Sequence, residues 1–123
     1  MEMEEILQYC CAKKEAYLDN PFGEIPICVK VHGRVFAQIY PKQEDYKITL
    51  KCELALADFF RQQYPGTVVR GYHCPPVQQP HWNTMDPRKI PEPELIHMID
   101  HAYFRVVSGL PKKVQKELLG QEQ

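Results

Sequence analysis

The stretch Gly71-Tyr72-His73-Cys74-Pro75-Pro76-Val77-Gln78-Gln79-Pro80-His81-Trp82-Asn83-Thr84-Met85 gathers the only tryptophan of the chain with two of its five histidines. His73, Cys74 and His81 are three residues of metal-ligand type on one loop. A structural zinc site needs four such ligands, usually in pairs at short spacing, and the fourth would have to come from elsewhere. We therefore expect no metal. A nucleophile pair built on Cys74 is also poorly served, because adjacent residues on an extended chain point to opposite sides; that excludes His73 as the base and leaves His81. His97 and His101 are four apart on a helix, but no Glu stands between them in the metalloprotease pattern, so they read as solvated or capping side chains. The sequence holds neither a Gly-rich phosphate loop nor a Ser-His-Asp elbow. These residues predict no catalytic centre and no cofactor.

Trp82 reads as a core or rim anchor whose indole N–H finds one partner, or as a stacking platform for a base or ligand ring. The second candidate surface is cationic. Alternation places Lys47 and Lys51 on one side of a strand, and Lys30 joins them if the hairpin before it turns over two residues. Arg34 would stand at the hairpin tip, with Arg70 as a further contributor. Cys28, Val35, Ala37 and Ile39 are expected on this face too. That is too apolar to be left idle, so the face is either covered or used for binding; a solvated strip is the alternative.

The elements that position these residues follow from periodicity. Met3 to Leu18 carries apolar residues at helical spacing and predicts a first helix, closed by Asp19-Asn20-Pro21. Ile25–Val31 and Arg34–Tyr40 alternate about His32-Gly33 as a hairpin, with Val31 opposite Arg34 and Val29 opposite Phe36. Ile25, Ile27, Val29 and Phe36 would share the buried face. Tyr46 to Lys51 is the third strand, with one apolar and one cationic face. Glu53 to Tyr64 is helical and ends at Pro65-Gly66. Thr67–Arg70 and Trp82–Met85 are short strands, with Cys74 to Pro80 between them as a stiff, largely extended loop. Pro91-Glu92-Pro93-Glu94 starts a helix buried through Leu95, Ile99, Ala102, Tyr103, Val106 and Leu110, and Lys112 to Leu119 forms a last short helix. The order α-β-β-β-α-β-β-α-α predicts an α+β fold, an antiparallel sheet of about five strands with the helices on one face. Phe36, Leu56, Phe60, Ile99 and Tyr103 should share its core. Residues 1–119 read as one domain and 120–123 as a tail.

Composition sets the outer bounds. The 123 residues are 44% apolar and 25% charged, enough for one core without metal or disulfide staples. Five cysteines without a Cys-x-x-Cys spacing predict reduced thiols. The N-terminus is acidic and then amphipathic, the reverse of a secretory signal, and no run is long and apolar enough to cross a bilayer, so a cytoplasmic protein with no membrane contact is expected. The net charge of −1 gives no global pull toward nucleic acid; only residues 24 to 74 carry a surplus, seven basic against five acidic.

Pro21-Phe22-Gly23, Lys30-Val31-His32-Gly33-Arg34 with Phe36, Leu50-Lys51-Cys52, Gly71-Tyr72-His73, His81-Trp82-Asn83, Ile90-Pro91 and Asp100-His101-Ala102-Tyr103 stand in an order and spacing that resembles the MmcQ/YjbR family of small bacterial proteins, over nearly the whole chain. Ala102 departs from the pattern, since similar sequences commonly carry Ser before the Tyr. The resemblance implies a fold like that of type III secretion chaperones and a DNA-binding protein with a double-wing motif. The resulting expectation is a protein without enzymatic activity that binds nucleic acid, DNA by the resemblance, through the phosphate backbone. Lys30, Arg34, Lys47, Lys51, His81 and Trp82 are the candidate contacts. A protein-interaction or chaperone-like module, accepting a protein segment or a second copy of itself, is the alternative.

Overall fold

The protein is described by a computed structural model covering residues 1–120; the remainder of the expected tail, residues 121–123, lies outside the described residues. Helix α1 spans Met3–Cys11, and Glu5 accepts from the Glu2 backbone N–H at 3.0 Å to close its first turn. The first expectation to fail is the length of this helix. Ala12 caps it, Glu15 takes a φ of 60°, and Ala16–Asp19 is strand β1. Tyr17 falls at helical spacing from the apolar face of α1, yet it is 44% exposed. Pairing with the next strand decides the matter, because an edge strand recovers backbone hydrogen bonds that three more helical residues with nothing to bury would not repay.

Strand β2 (Ile27–Val31) pairs with β1 and with β3 (Arg34–Tyr40). His32 and Gly33 both have positive φ, 49° and 78°, as the tight hairpin turn requires. Val31 lies opposite Arg34 as expected, but Val29 lies opposite Ala37, not Phe36, because a bulge follows Val29. The extra residue turns Phe36 and Ala37 toward the same side. Ala37 and Ile39, expected on the cationic face, belong instead to the core with Val29 and Phe36. Ile25 falls before the strand and is exposed.

Strand β4 (Lys47–Lys51), helix α2 (Leu54–Gln63), the two-residue strand β5 (Val69–Arg70) and β6 (Trp82–Met85) follow, then helices α3 (Glu92–Val107) and α4 (Lys112–Leu119). The sheet has six antiparallel strands in the order β1-β2-β3-β4-β6-β5, one more than expected. Glu53 caps α2 by accepting from the N–H groups of Ala55 and Leu56. One core joins Ile6 and Cys10 of α1, Phe36, Ile48 and Leu50 of the sheet, Leu95, Ile99 and Tyr103 of α3 and Leu118 of α4. The Phe36 and Tyr103 rings meet edge to face at 5.4 Å, and Phe60 packs on this core from its margin. Leu56, also expected in the core, instead lines a shallow hollow between α2 and α3. The helices cover one face of the sheet. The other is left to the connections.

Candidate nucleic-acid interface

Opposite residues in antiparallel strands share a face, so the pairings identify the helix-free side. Tyr17 lies opposite Lys30, Lys30 opposite Val35, Tyr40 opposite Lys47, Lys51 opposite Trp82, and Cys28, Gln38, Thr49 and Thr84 run across the middle. Lys30, Lys47, Lys51 and Trp82 therefore do share a surface. Their charges are not equally available. Lys30 Nζ is 2.7 Å from Asp19 Oδ2, and this partner holds the ammonium pKa up and the carboxyl pKa down. Lys47 Nζ is 3.3 Å from Asp45. Among the described residues, Lys51 has no carboxylate within ion-pair distance; its ammonium sits 5.1 Å from the centroid of the Trp82 ring. Burial, followed by the charge of Arg105, lowers its pKa.

Arg34 and Arg70 leave the sheet elsewhere. Arg34 lies opposite core-facing Val31 and its guanidinium passes over Gly109, where a Cβ would come within 3.4 Å of it. Arg70 lies opposite Asn83 on the helix side of edge strand β5. At the end of the sheet where β3 begins and β4 ends, Arg34, Lys51 and Arg105 line a hollow of about 220 Å³ together with Val35, Val106 and Gly109.

The proline-rich loop covers the middle of the helix-free face. It is turned, not extended: Gln78 N–H donates to Pro75 O at 2.8 Å and His81 N–H to Gln78 O at 2.9 Å, so the prolines initiate turns rather than a straight run. Gly71 anchors it against β6, its N–H 2.9 Å from Trp82 O, where a Cβ would stand 2.5 Å from that of Trp82. His73 stacks on Tyr40 at 4.3 Å and meets the Tyr72 ring at 4.2 Å with the planes tilted by 43°. Beneath the loop, Thr49 and Thr84 bond each other at 2.8 Å and are fully buried. Beside it remains an open groove of about 640 Å³ walled by Phe22, Val35, Tyr40, Lys51, His73 and Trp82. Trp82 is thus both anchor and wall, 9% exposed but with its face toward Lys51. His81 does not line the groove; its carbonyl accepts from Cys52 N–H instead.

Among the described residues, no three His, Cys, Asp or Glu side chains are placed to hold a metal ion. All five cysteines are free, and burial raises their thiol pKa values, Cys10 to about 12 and Cys52 to about 11. His101 Nε2 accepts from Glu53 N–H at 3.1 Å, so it helps to close the start of α2. Tyr40, Phe22 and Arg105 are the residues that sequence reasoning missed. An unbulged hairpin puts Tyr40 in the core, and no local signal marks Arg105 as a neighbour of Lys51.

A family model described as YjbR matches residues 11–105. The chain belongs to the YjbR family. It is 29% identical over 122 residues to Uncharacterized protein YjbR of Escherichia coli K12, covering 97% of this chain and 98% of that one, and equally so to its counterpart in strain O157:H7. Among solved structures, a Deinococcus radiodurans protein with a DUF419 domain superposes with a TM-score of 0.84 at 23% identity, over 95% of this chain and 87% of that chain. A Pseudomonas syringae protein gives 0.64 at 17%, over 83% and 96% respectively. Both likenesses support the family's α+β fold. Among the described residues no helix is long and apolar enough to cross a membrane.

Proposed function

We propose that this YjbR-family chain is a cytoplasmic, non-enzymatic nucleic-acid-binding protein that takes a single-stranded segment on its helix-free sheet face. The observation that carries the reading is the groove: its walls include no carboxylate, and its one full charge, Lys51, lies over Trp82. The exposed rings of Tyr72 and His73 at the groove's edge suit unstacked bases, and the adjacent cations suit phosphates. The ion pairs of Lys30 and Lys47 are partly solvated, and exposed pairs of this kind are worth only about 0–1 kcal/mol, so either lysine can exchange its carboxylate for a phosphate. Lysines grip phosphate without reading bases, which gives affinity with little sequence preference. The five free thiols suit a reducing compartment.

A protein segment is the second reading, favoured by Phe22 and Val77, 68% and 78% exposed beside the groove. A titration of single-stranded and duplex DNA at several salt concentrations separates the two. Phosphate binding weakens steeply with salt, whereas an apolar protein interface does not. We expect single-stranded DNA to bind more tightly than duplex, and binding to fall in Lys51→Glu. No detectable DNA affinity of the parent at low salt would overturn the proposal in favour of a protein partner.

A further inference from the structure

Arg34, Lys51 and Arg105 come from three different elements, β3, β4 and α3, and their side chains meet at one hollow. Among the described residues none of the three has a carboxylate within ion-pair distance. Arg105 Nε is enclosed and has no hydrogen-bond partner. Leaving a buried donor on a charged group unpaired is costly, and three converging cations repel one another, so an anion seated in this hollow would be stabilised by all three. Nearby polar groups do not take that place. Glu53 is engaged at the start of α2, where the N–H groups of Ala55 and Leu56, with a smaller contribution from Arg105, lower its carboxyl pKa. The last carbonyls of α3 are already occupied: Phe104 O accepts from Ser108 N–H, Val106 O from Gly109 N–H and Val107 O from Leu110 N–H. Gly109 leaves room for the Arg34 guanidinium.

We infer that this hollow is a receptor for a phosphate monoester. Its volume, about 220 Å³, admits a tetrahedral oxyanion, and two guanidinium forks with one ammonium supply the donors such a group accepts. A phosphodiester inside a strand carries one charge and two free oxygens, whereas a terminal monoester carries up to two charges and three, so the hollow favours a strand end. Lys51 and Val35 line both this hollow and the aromatic groove. A terminal phosphate held here therefore places its own nucleotide at the mouth of the aromatic groove. The assignment to a strand end rests on the nucleic-acid reading above; the affinity for phosphate does not.

The test compares decanucleotides of one sequence carrying a 5′-phosphate, a 3′-phosphate or hydroxyls at both ends, by fluorescence anisotropy at low salt. Inorganic phosphate is titrated in parallel while the amide and side-chain NMR signals of Arg34, Lys51 and Arg105 are followed. One phosphorylated end should bind about tenfold more tightly than the hydroxyl form, a difference of about 1.4 kcal/mol. Arg105→Gln should erase the difference while leaving the hydroxyl oligonucleotide bound. Arg34 is exposed, so Arg34→Gln, which leaves the core untouched, should reduce the preference as well. Equal affinity for all three oligonucleotides overturns the inference and leaves the nucleic-acid reading standing. If no oligonucleotide binds, that reading falls. The phosphate titration then decides: saturable shifts confined to the three residues and lost in Arg34→Gln support the hollow, and unshifted signals overturn it.

Discussion

Asn83 shows how much a single buried polar side chain decides. Its amide donates to Ala57 O at 3.1 Å and accepts from Arg61 at 2.7 Å, joining β6 to the helix above it. Replacing it with Ala removes both bonds and leaves Arg61 only its longer contacts with Pro80 O and Asp58, so Asn83→Ala should cost about 1–3 kcal/mol in denaturant unfolding, with the fold otherwise retained. Gly71 is as constrained for a steric reason, since a Cβ there would lie 2.5 Å from that of Trp82. Backbone, not a flexible side-chain tip, must move to admit it. Gly71→Ala should therefore lift the proline-rich loop from β6, cost about 1–3 kcal/mol as overpacking does, and shift Trp82 fluorescence toward that of a solvated indole. An unshifted emission maximum would show that the loop does not depend on this contact.

The start of α2 carries a pH dependence that belongs to the element and not to one residue. His101 accepts from Glu53 N–H only while it is neutral, and burial lowers its pKa, against the opposing effect of Glu53 and with that of Arg105. Burial lowers the pKa of His73 in the same direction, partly offset by Asp45. A folded-state pKa below the unfolded value means that the unfolded chain takes up the proton first. The stability these histidines contribute is thus complete above about pH 6.5 and is lost as the pH falls through their lower folded values. Stability followed from pH 8 to 5 should decline below about 6.5, and His101→Gln should flatten that decline. An identical slope in the variant would mean that His101 takes up its proton equally readily in the folded and the unfolded chain.

At the scale of the whole molecule, formal charge and available charge part company. The sheet face carries three lysines, but Asp19 and Asp45 neutralise two of them, and Lys51 lies with Arg34 and Arg105 at one end of the sheet. If the face binds nucleic acid, Lys51→Glu alone should weaken binding more than Lys30→Glu and Lys47→Glu combined, and should reduce the salt slope by about one phosphate contact. The reverse order in an anisotropy titration would place the contacts on the rim lysines. Lys30 and Lys47 are half-buried beside Asp19 and Asp45, so the unfolding of each rim variant is measured first and binding is compared on folded protein.

Local pattern by itself determined the class of the fold, three of its helices, the His32-Gly33 turn and the strand Trp82–Met85, because each rests on a period or a turn residue that acts over a few neighbours. It also put Lys30, Lys47 and Lys51 on one face, since the side-chain period of a strand is two wherever the strand runs straight; the pairing of β4 with β6 added Trp82 to it. Tertiary structure decided the rest. Whether Ala16–Asp19 extends α1 or pairs with β2 depends on partners further along the chain, Cys28 to Val31. The bulge after Val29 is fixed by packing Phe36 and Ala37 together against α3, and it moved Tyr40 from the core to the groove. Arg105 meets Lys51 and Arg34 only because α3 crosses the end of the sheet where β3 begins. Such contacts join residues distant in the chain, and the free energy that selects them is the burial of a shared core, which no window of sequence contains.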